Sequence, residues 1–203
     1  MSRFWNENTK QLEPYVAGQQ PREGQKVIKL NTNENPYPPS PRIKDYLSSL
    51  DPTALRLYPD ANCSALRDAF SEELGVPKER IFCGNGSDEV LGFAFQTFFE
   101  TREGALPLLL PDITYSFYPV YAKLYGIPVQ TLPVRPDFSV SADAFCMPSG
   151  GVAIAQPNAP TGMALSLEDV EKIVAYDPNR VVIIDEAYIV FGGQTAVALT
   201  NTY

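Results

Sequence analysis

Val181-Val182-Ile183-Ile184-Asp185 decides the fold. Four consecutive β-branched residues favour an extended chain. A run that is apolar at every position, instead of every second one, belongs to a strand covered on both faces. Residues 106–110 and 152–155 are likewise apolar throughout, and residues 129–134 are another strand candidate. Between them, residues 115–125 have helical spacing despite Pro119, and Leu167, Val170, Ile173 and Val174 line one side of a helix that Ser166 would cap. Strands alternating with helices predict an α/β fold, a mostly parallel sheet with helices on both faces. In such sheets ligands bind beyond the carboxyl ends of the strands. The polar residues that follow each apolar run are therefore the candidates for chemistry.

Four places qualify. Gly84-Asn85-Gly86-Ser87-Asp88-Glu89 lies between an apolar Ile81-Phe82-Cys83 run and an amphipathic stretch from Asp88 to about Phe99. Strand, glycine turn and helix start can cradle an anion, because the first helical N–H groups lack partners and carry partial positive charge. The turn has no Lys and no complete dinucleotide fingerprint, so by itself it is either such a cradle or an ordinary turn. Asp112-Ile113-Thr114-Tyr115 and Gln156-Pro157-Asn158-Ala159-Pro160-Thr161-Gly162 follow two further runs. The fourth place, Asp185-Glu186-Ala187-Tyr188, is the most specific. An acid at the lip of the sheet can cap a helix, bind a metal, or pair with a protonated ring nitrogen, and Tyr188 can reach a neighbouring phenolic oxygen.

Upstream, residues 1–39 read as an arm, with one short strand expected at 27–30 and a polar, proline-studded loop from Asn31 to Pro39. Ser40-Pro41 opens a helix with Ile43, Tyr46, Leu47 and Leu50 on one face. Ser64 is expected to cap another, with Leu66, Ala69, Phe70 and Leu74 inward and Gly75 ending it.

With 16 Lys+Arg against 24 Asp+Glu, the 203 residues carry a formal charge of −8, which argues against a nucleic-acid surface or an anionic membrane. No apolar run approaches the ~18 residues of a membrane-spanning helix, and the first residues lack a secretion signal, so cytoplasm is the expected location. Three widely spaced cysteines, Cys63, Cys83 and Cys146, fit reduced thiols. Histidine is absent, which removes Ser-His-Asp and Cys-His catalysis and imidazole metal sites. No metal is expected.

The ordered set of the glycine turn, Pro157-Asn158-Ala159-Pro160-Thr161-Gly162 and Asp185-Glu186-Ala187-Tyr188 resembles the pyridoxal-phosphate aminotransferases of the aspartate aminotransferase fold. Within them, Leu30-Asn31-Thr32-Asn33-Glu34-Asn35-Pro36-Tyr37, Leu57-Tyr58-Pro59-Asp60 and Pro14-Tyr15-Val16-Ala17-Gly18 look like the histidinol-phosphate branch. The resemblance implies the large domain of a fold type I pyridoxal-phosphate enzyme over 51–203, preceded by an arm and first helix over 1–50. It implies that Gly86, Ser87 and Asp88 bind the cofactor phosphate, that Tyr115 stacks on the ring, that Asp185 pairs with the ring nitrogen and that Tyr188 meets the ring oxygen. Tyr58 would reach the phosphate of a neighbouring subunit in a homodimer, and Tyr15, Glu34 and Asn35 would face the substrate. The family commonly has asparagine where this chain has Ala159, and Asn158 is the adjacent candidate for that contact.

The family's Schiff-base lysine, its phosphate- and carboxylate-binding arginines and its small C-terminal domain are expected beyond Tyr203. The chain thus reads as an N-terminal portion that does not turn over alone, and Lys172 as a solvated surface residue. The implied reaction moves an amino group between histidinol phosphate and 2-oxoglutarate or glutamate. A sister aminotransferase for aromatic amino acids, a phospho-amino-acid decarboxylase and a non-catalytic phosphate-binding module are the alternatives.

Overall fold

The computed structural model describes all residues except 1, 14–17, 19 and 23. Two compact units emerge, one of residues 1–12 with 63–203 and the other of residues 13–62. The helices are α1 (Glu7–Lys10), α2 (Pro41–Ser49), α3 (Ser64–Leu74), α4 (Ser87–Phe98), α5 (Phe117–Tyr125), α6 (Ala142–Phe145) and α7 (Leu167–Ala175). The strands are β1 (Leu108–Pro111), β2 (Val129–Leu132), β3 (Gly151–Ala155) and β4 (Val182–Asp185), in the order β2-β1-β3-β4. All three pairings are parallel, with Leu108 opposite Val129 and Gly151, and Ala155 opposite Asp185. The parallel sheet read from the apolar runs is the observed one, but only β1 and β3 are buried throughout, whereas β4 is partly buried and β2 mostly exposed.

Side chains alternate across a strand, and here the alternation separates two cores. Leu108, Leu110, Ala153 and Ala155 join Phe95 of α4 and Tyr118, Tyr121 and Ala122 of α5. Leu109, Val152 and Ile154 join Phe145 of α6 and Val170 and Ile173 of α7. In β4, Ile183 packs on the first cluster and Val182 and Ile184 on the second. Full burial of Leu109, Val152 and Ile154 contributes about 1.5–3 kcal/mol each by area alone.

Several local expectations change. Ser64 is the first residue of α3 and not its cap, because Cys63 occupies the cap position with a left-handed backbone, φ 49°. Neither α2 nor α3 has a buried residue, so their apolar faces, including Ile43, Leu47, Leu66 and Phe70, remain exposed. Residues 27–30 and 81–83 form no strand. An extended run becomes a strand only with a ladder partner, and Phe82 instead packs edge-on against Phe93 of α4, with centroids 5.9 Å apart. Ser166 caps α7 as expected, its Oγ accepting from the Asp169 N–H at 3.1 Å. The three cysteines are free thiols. No helix among the described residues is long and apolar enough to cross a membrane.

Candidate active site

At the carboxyl end of the sheet a cavity of about 200 Å³ is lined by Asn85, Gly86, Ser87, Asp88, Tyr115, Ala155, Ala159, Asp185, Ala187 and Tyr188. Strand parity builds it. Asp185 shares its face with Ile183 and so points toward α4 and α5, beside its ladder partner Ala155. Alanine at 153 and 155 leaves room under the aromatic side chains of that layer. Glu186 has the opposite parity, and its carboxylate accepts from Thr195 Oγ1 and the Ala196 N–H, both at 2.6 Å. Of two adjacent acids, one faces the cavity and one ties down a loop.

The glycine turn forms a second wall. Gly86 precedes α4 with φ 87°, a left-handed value that favours glycine, and no side chain caps the helix. The first N–H groups of α4 thus point outward without intrahelical partners, whereas α7 is closed by Ser166. Glu89 reaches back to accept from the Asn85 N–H at 2.7 Å and holds the turn. Gly84 permits this closeness, since a Cβ there would lie 2.8 Å from Val90 Cγ2 and 3.0 Å from Glu89 Oε2.

Three tyrosines stitch the walls together. Tyr115 donates to Asp88 Oδ1 at 2.9 Å, Tyr121 to the Asp88 carbonyl at 2.9 Å, and Tyr118 to Asp185 Oδ2 at 2.8 Å. Burial first, and then the neighbouring carboxylates, push all three phenols well above the usual tyrosine range. They act as donors. Tyr118 and Tyr121 escaped the sequence reading, although a tyrosine every third residue from 115 was the available signal.

The structure therefore brings Gly86, Ser87, Asp88, Tyr115, Asp185 and Tyr188 to one cavity. Asn158 is not in its lining. That side chain is buried, and its Nδ2 donates to the Ile113 carbonyl at 2.9 Å and to Thr161 Oγ1 at 3.1 Å. Ala159 lines the cavity in its place. Tyr58, Glu34 and Asn35 belong to the 13–62 unit. There Tyr58 is wholly exposed, Glu34 pairs with Lys29 at 2.5 Å, and Asn35 accepts from the Tyr37 N–H at 2.9 Å. Tyr15 lies outside the described residues. Lys172 pairs with Asp143 on the surface.

The lining contains two carboxylates and neither lysine nor arginine. An anion at the α4 end meets backbone N–H groups and the helix dipole from this chain. A larger hollow of about 710 Å³ runs along β4 on the α7 side, mostly between apolar side chains such as Val174, Val182 and Leu199. Among the described residues, no group of three or more Cys, Asp or Glu side chains is placed to hold a metal ion.

A glycine-turn helix start, Tyr115 and a strand-end aspartate thus surround one small cavity at the carboxyl end of a parallel α/β sheet. The chain belongs to the class I and II aminotransferase family, whose description matches residues 25–202. It is 50% identical over its whole length to the histidinol-phosphate aminotransferase of Clostridium acetobutylicum and 51% identical to that of Acetobacter pasteurianus. In both cases it spans 56% of the relative's length. Among solved structures it is similar to histidinol-phosphate aminotransferase from Sinorhizobium meliloti in complex with pyridoxal-5'-phosphate. The TM-score is 0.73 at 21% identity, over 93% of this chain and 52% of that one. A decarboxylase from Sulfurospirillum multivorans matches with a TM-score of 0.59 and 26% identity, over 79% of this chain and 47% of that one.

Proposed function

We propose that this chain forms the cofactor-holding part of a pyridoxal-phosphate-dependent transaminase, which moves an amino group between histidinol phosphate and 2-oxoglutarate or glutamate. The observation that carries the reading is the meeting of the open α4 N-terminus and Asp185 across one cavity floored by Ala155. The residues fit the cofactor. The cavity is smaller than the roughly 300–1,000 Å³ of drug-sized clefts and suits a single substituted ring. An anionic group belongs at Gly86, Ser87 and Asp88, a cationic ring nitrogen at Asp185, an aromatic face at Tyr115, and a ring oxygen at Tyr188. Bound there, pyridoxal phosphate supplies the electron sink for the carbon that gives up its amino group.

The chain's own part is electrostatic and geometric. Asp185 offers a carboxylate that stabilises a proton on a nearby ring nitrogen. Its Oδ1 is held by the Ala187 N–H at 3.1 Å, so the group is oriented before any ligand arrives. Tyr115, tethered to Asp88, presents a ring whose plane cannot swing freely. The buried Asn158 braces the 156–162 turn that brings Ala159 to the cavity, and we assign it to cofactor binding through that turn. Residues 51–203 are read as part of the cofactor domain and 1–50 as an arm carrying Tyr15, Glu34 and Asn35 toward substrate. Tyr58, wholly exposed in this chain, is assigned to the cofactor phosphate of a second subunit in a homodimer. The reading places the enzyme in the cytoplasm, in histidine biosynthesis.

Steady-state assay of the protein at its full natural length tests this. Transfer from histidinol phosphate to 2-oxoglutarate is expected to exceed transfer from aromatic amino acids by at least tenfold in kcat/KM. Equal rates, or release of carbon dioxide from a phospho-amino acid, would move it to a sister enzyme.

A further inference from the structure

Tyr118 does not line the cavity, yet two lining residues rest on it. It is wholly buried in the first turn of α5. Its hydroxyl donates to Asp185 Oδ2 at 2.8 Å, and its ring meets Tyr115 edge-on, with centroids 5.6 Å apart at 82°. Behind it, Phe95 stacks at 5.9 Å and 25° and keeps the ring in place. The other carboxylate oxygen of Asp185 accepts from the Ala187 N–H. One donor on each oxygen sets the plane of the carboxylate and leaves lone pairs on both for a ligand.

A buried phenol needs a hydrogen-bond partner, and a backbone carbonyl satisfies that need. Tyr121, one turn further on, uses the Asp88 carbonyl in that way. Tyr118 spends its single donor on the acid. Burial and the adjacent Asp185 charge push its phenol well above the usual range, so it is a donor at neutral pH.

We infer that Tyr118 is a positioning residue, holding the Asp185 carboxylate toward a ring nitrogen and Tyr115 against a ring face while touching neither cofactor nor substrate. The inference rests on the transaminase reading. Tyr118→Phe keeps the ring and its packing and deletes only the hydroxyl. In the full-length protein, pyridoxal phosphate is expected to dissociate about tenfold faster, which is what losing a hydrogen bond to a charged group does. The visible circular dichroism per bound cofactor should fall, and kcat should drop by a similar factor with KM within about twofold.

A double-mutant cycle with Asp185→Ala isolates the coupling. Once the carboxylate is gone, Tyr118→Phe should change dissociation no further. Full additivity, or wild-type dissociation and dichroism in Tyr118→Phe, overturns the inference. A measurement without any variant covers the case of a poorly folding one. In tyrosine-labelled wild type, the Tyr118 Cζ resonance should shift when pyridoxal phosphate is added, and an unmoved resonance overturns the inference equally. The two readings fail separately. Wild-type cofactor affinity in Asp185→Ala would sink the transaminase reading, whereas loss there with no effect of Tyr118→Phe sinks only the role of Tyr118.

Discussion

On one face of the sheet, Leu108, Leu110, Ala153 and Ala155 meet the tyrosines and phenylalanines of α4 and α5. On the other, Leu109, Val152 and Ile154 meet a set that is aliphatic apart from Phe145. The same strands build both, so the difference lies in what the helices bring. Tyrosines fill volume as phenylalanine does and also carry a hydroxyl to the edge of the core. Three of them, Tyr115, Tyr118 and Tyr121, deliver donors to Asp88 and Asp185. Polar chemistry on the second face serves the fold. Arg180, buried there, donates to the carbonyls of Met147 and Ile173 and to Ser149 Oγ. Two adjacent acids of β4 and its exit thus diverge by strand parity alone.

The sharpest way to break this contrast is to exchange the fates of those acids. Asp185→Ala should weaken pyridoxal phosphate binding about a hundredfold in an absorbance titration, the upper end for a charged hydrogen bond. Glu186→Ala should leave that affinity within about twofold and lower the thermal midpoint, because the Ala196 N–H and Thr195 hydroxyl lose their acceptors. If Glu186→Ala releases the cofactor as readily, the division of labour between the faces is wrong.

Packing comes next in size. Ile154→Ala on the aliphatic face should cost about 2–5 kcal/mol in denaturant unfolding, with the cofactor affinity of the folded fraction retained. A smaller effect separates the faces by pH. Tyr115, Tyr118 and Tyr121 have raised folded-state values, so their contribution is complete below the unfolded tyrosine value of about 10 and is lost as pH rises beyond it. Absorbance at 295 nm should therefore show these three phenols ionising only as the protein unfolds, after the exposed tyrosines. The smallest effect belongs to the surface. Lys172→Ala removes an exposed ion pair with Asp143 and should not move the thermal midpoint measurably.

Much of this was legible from the residues. An unbroken β-branched run has no polar face, so it announced a strand of a parallel sheet, though β4 is only partly buried, and the residue after it had to stand at the sheet's lip. Glycine at 84 and 86 announced a turn before a helix. Coverage was harder to read. The spacing of Ile43, Tyr46, Leu47 and Leu50 correctly marks one face of α2, but periodicity describes a helix and not what lies against it, and none of the four is buried. Residues 27–30 and 81–83 mislead for a related reason, since pairing depends on a distant segment that local composition does not name. Tyr118 was hidden by its own aptness for a core. Its apolar bulk explains its place on α5, and only coordinates reveal where the hydroxyl goes.

The strand order carries a consequence for how the chain acquires its shape. In the sequence of synthesis β1 comes first, yet it ends between β2 and β3, and β4 joins only through β3. Each parallel pairing must wait for an intervening helix, because no tight hairpin can join parallel neighbours. Leu108 finds Val129 only after α5 has been made, and Val152 finds Val182 only after α7. Contacts so distant in sequence slow folding and prolong the life of unpaired strands. A growing chain can therefore form the aspartate's side of the cavity only after α7 has been made, when Ala155 and Asp185 can lie opposite each other.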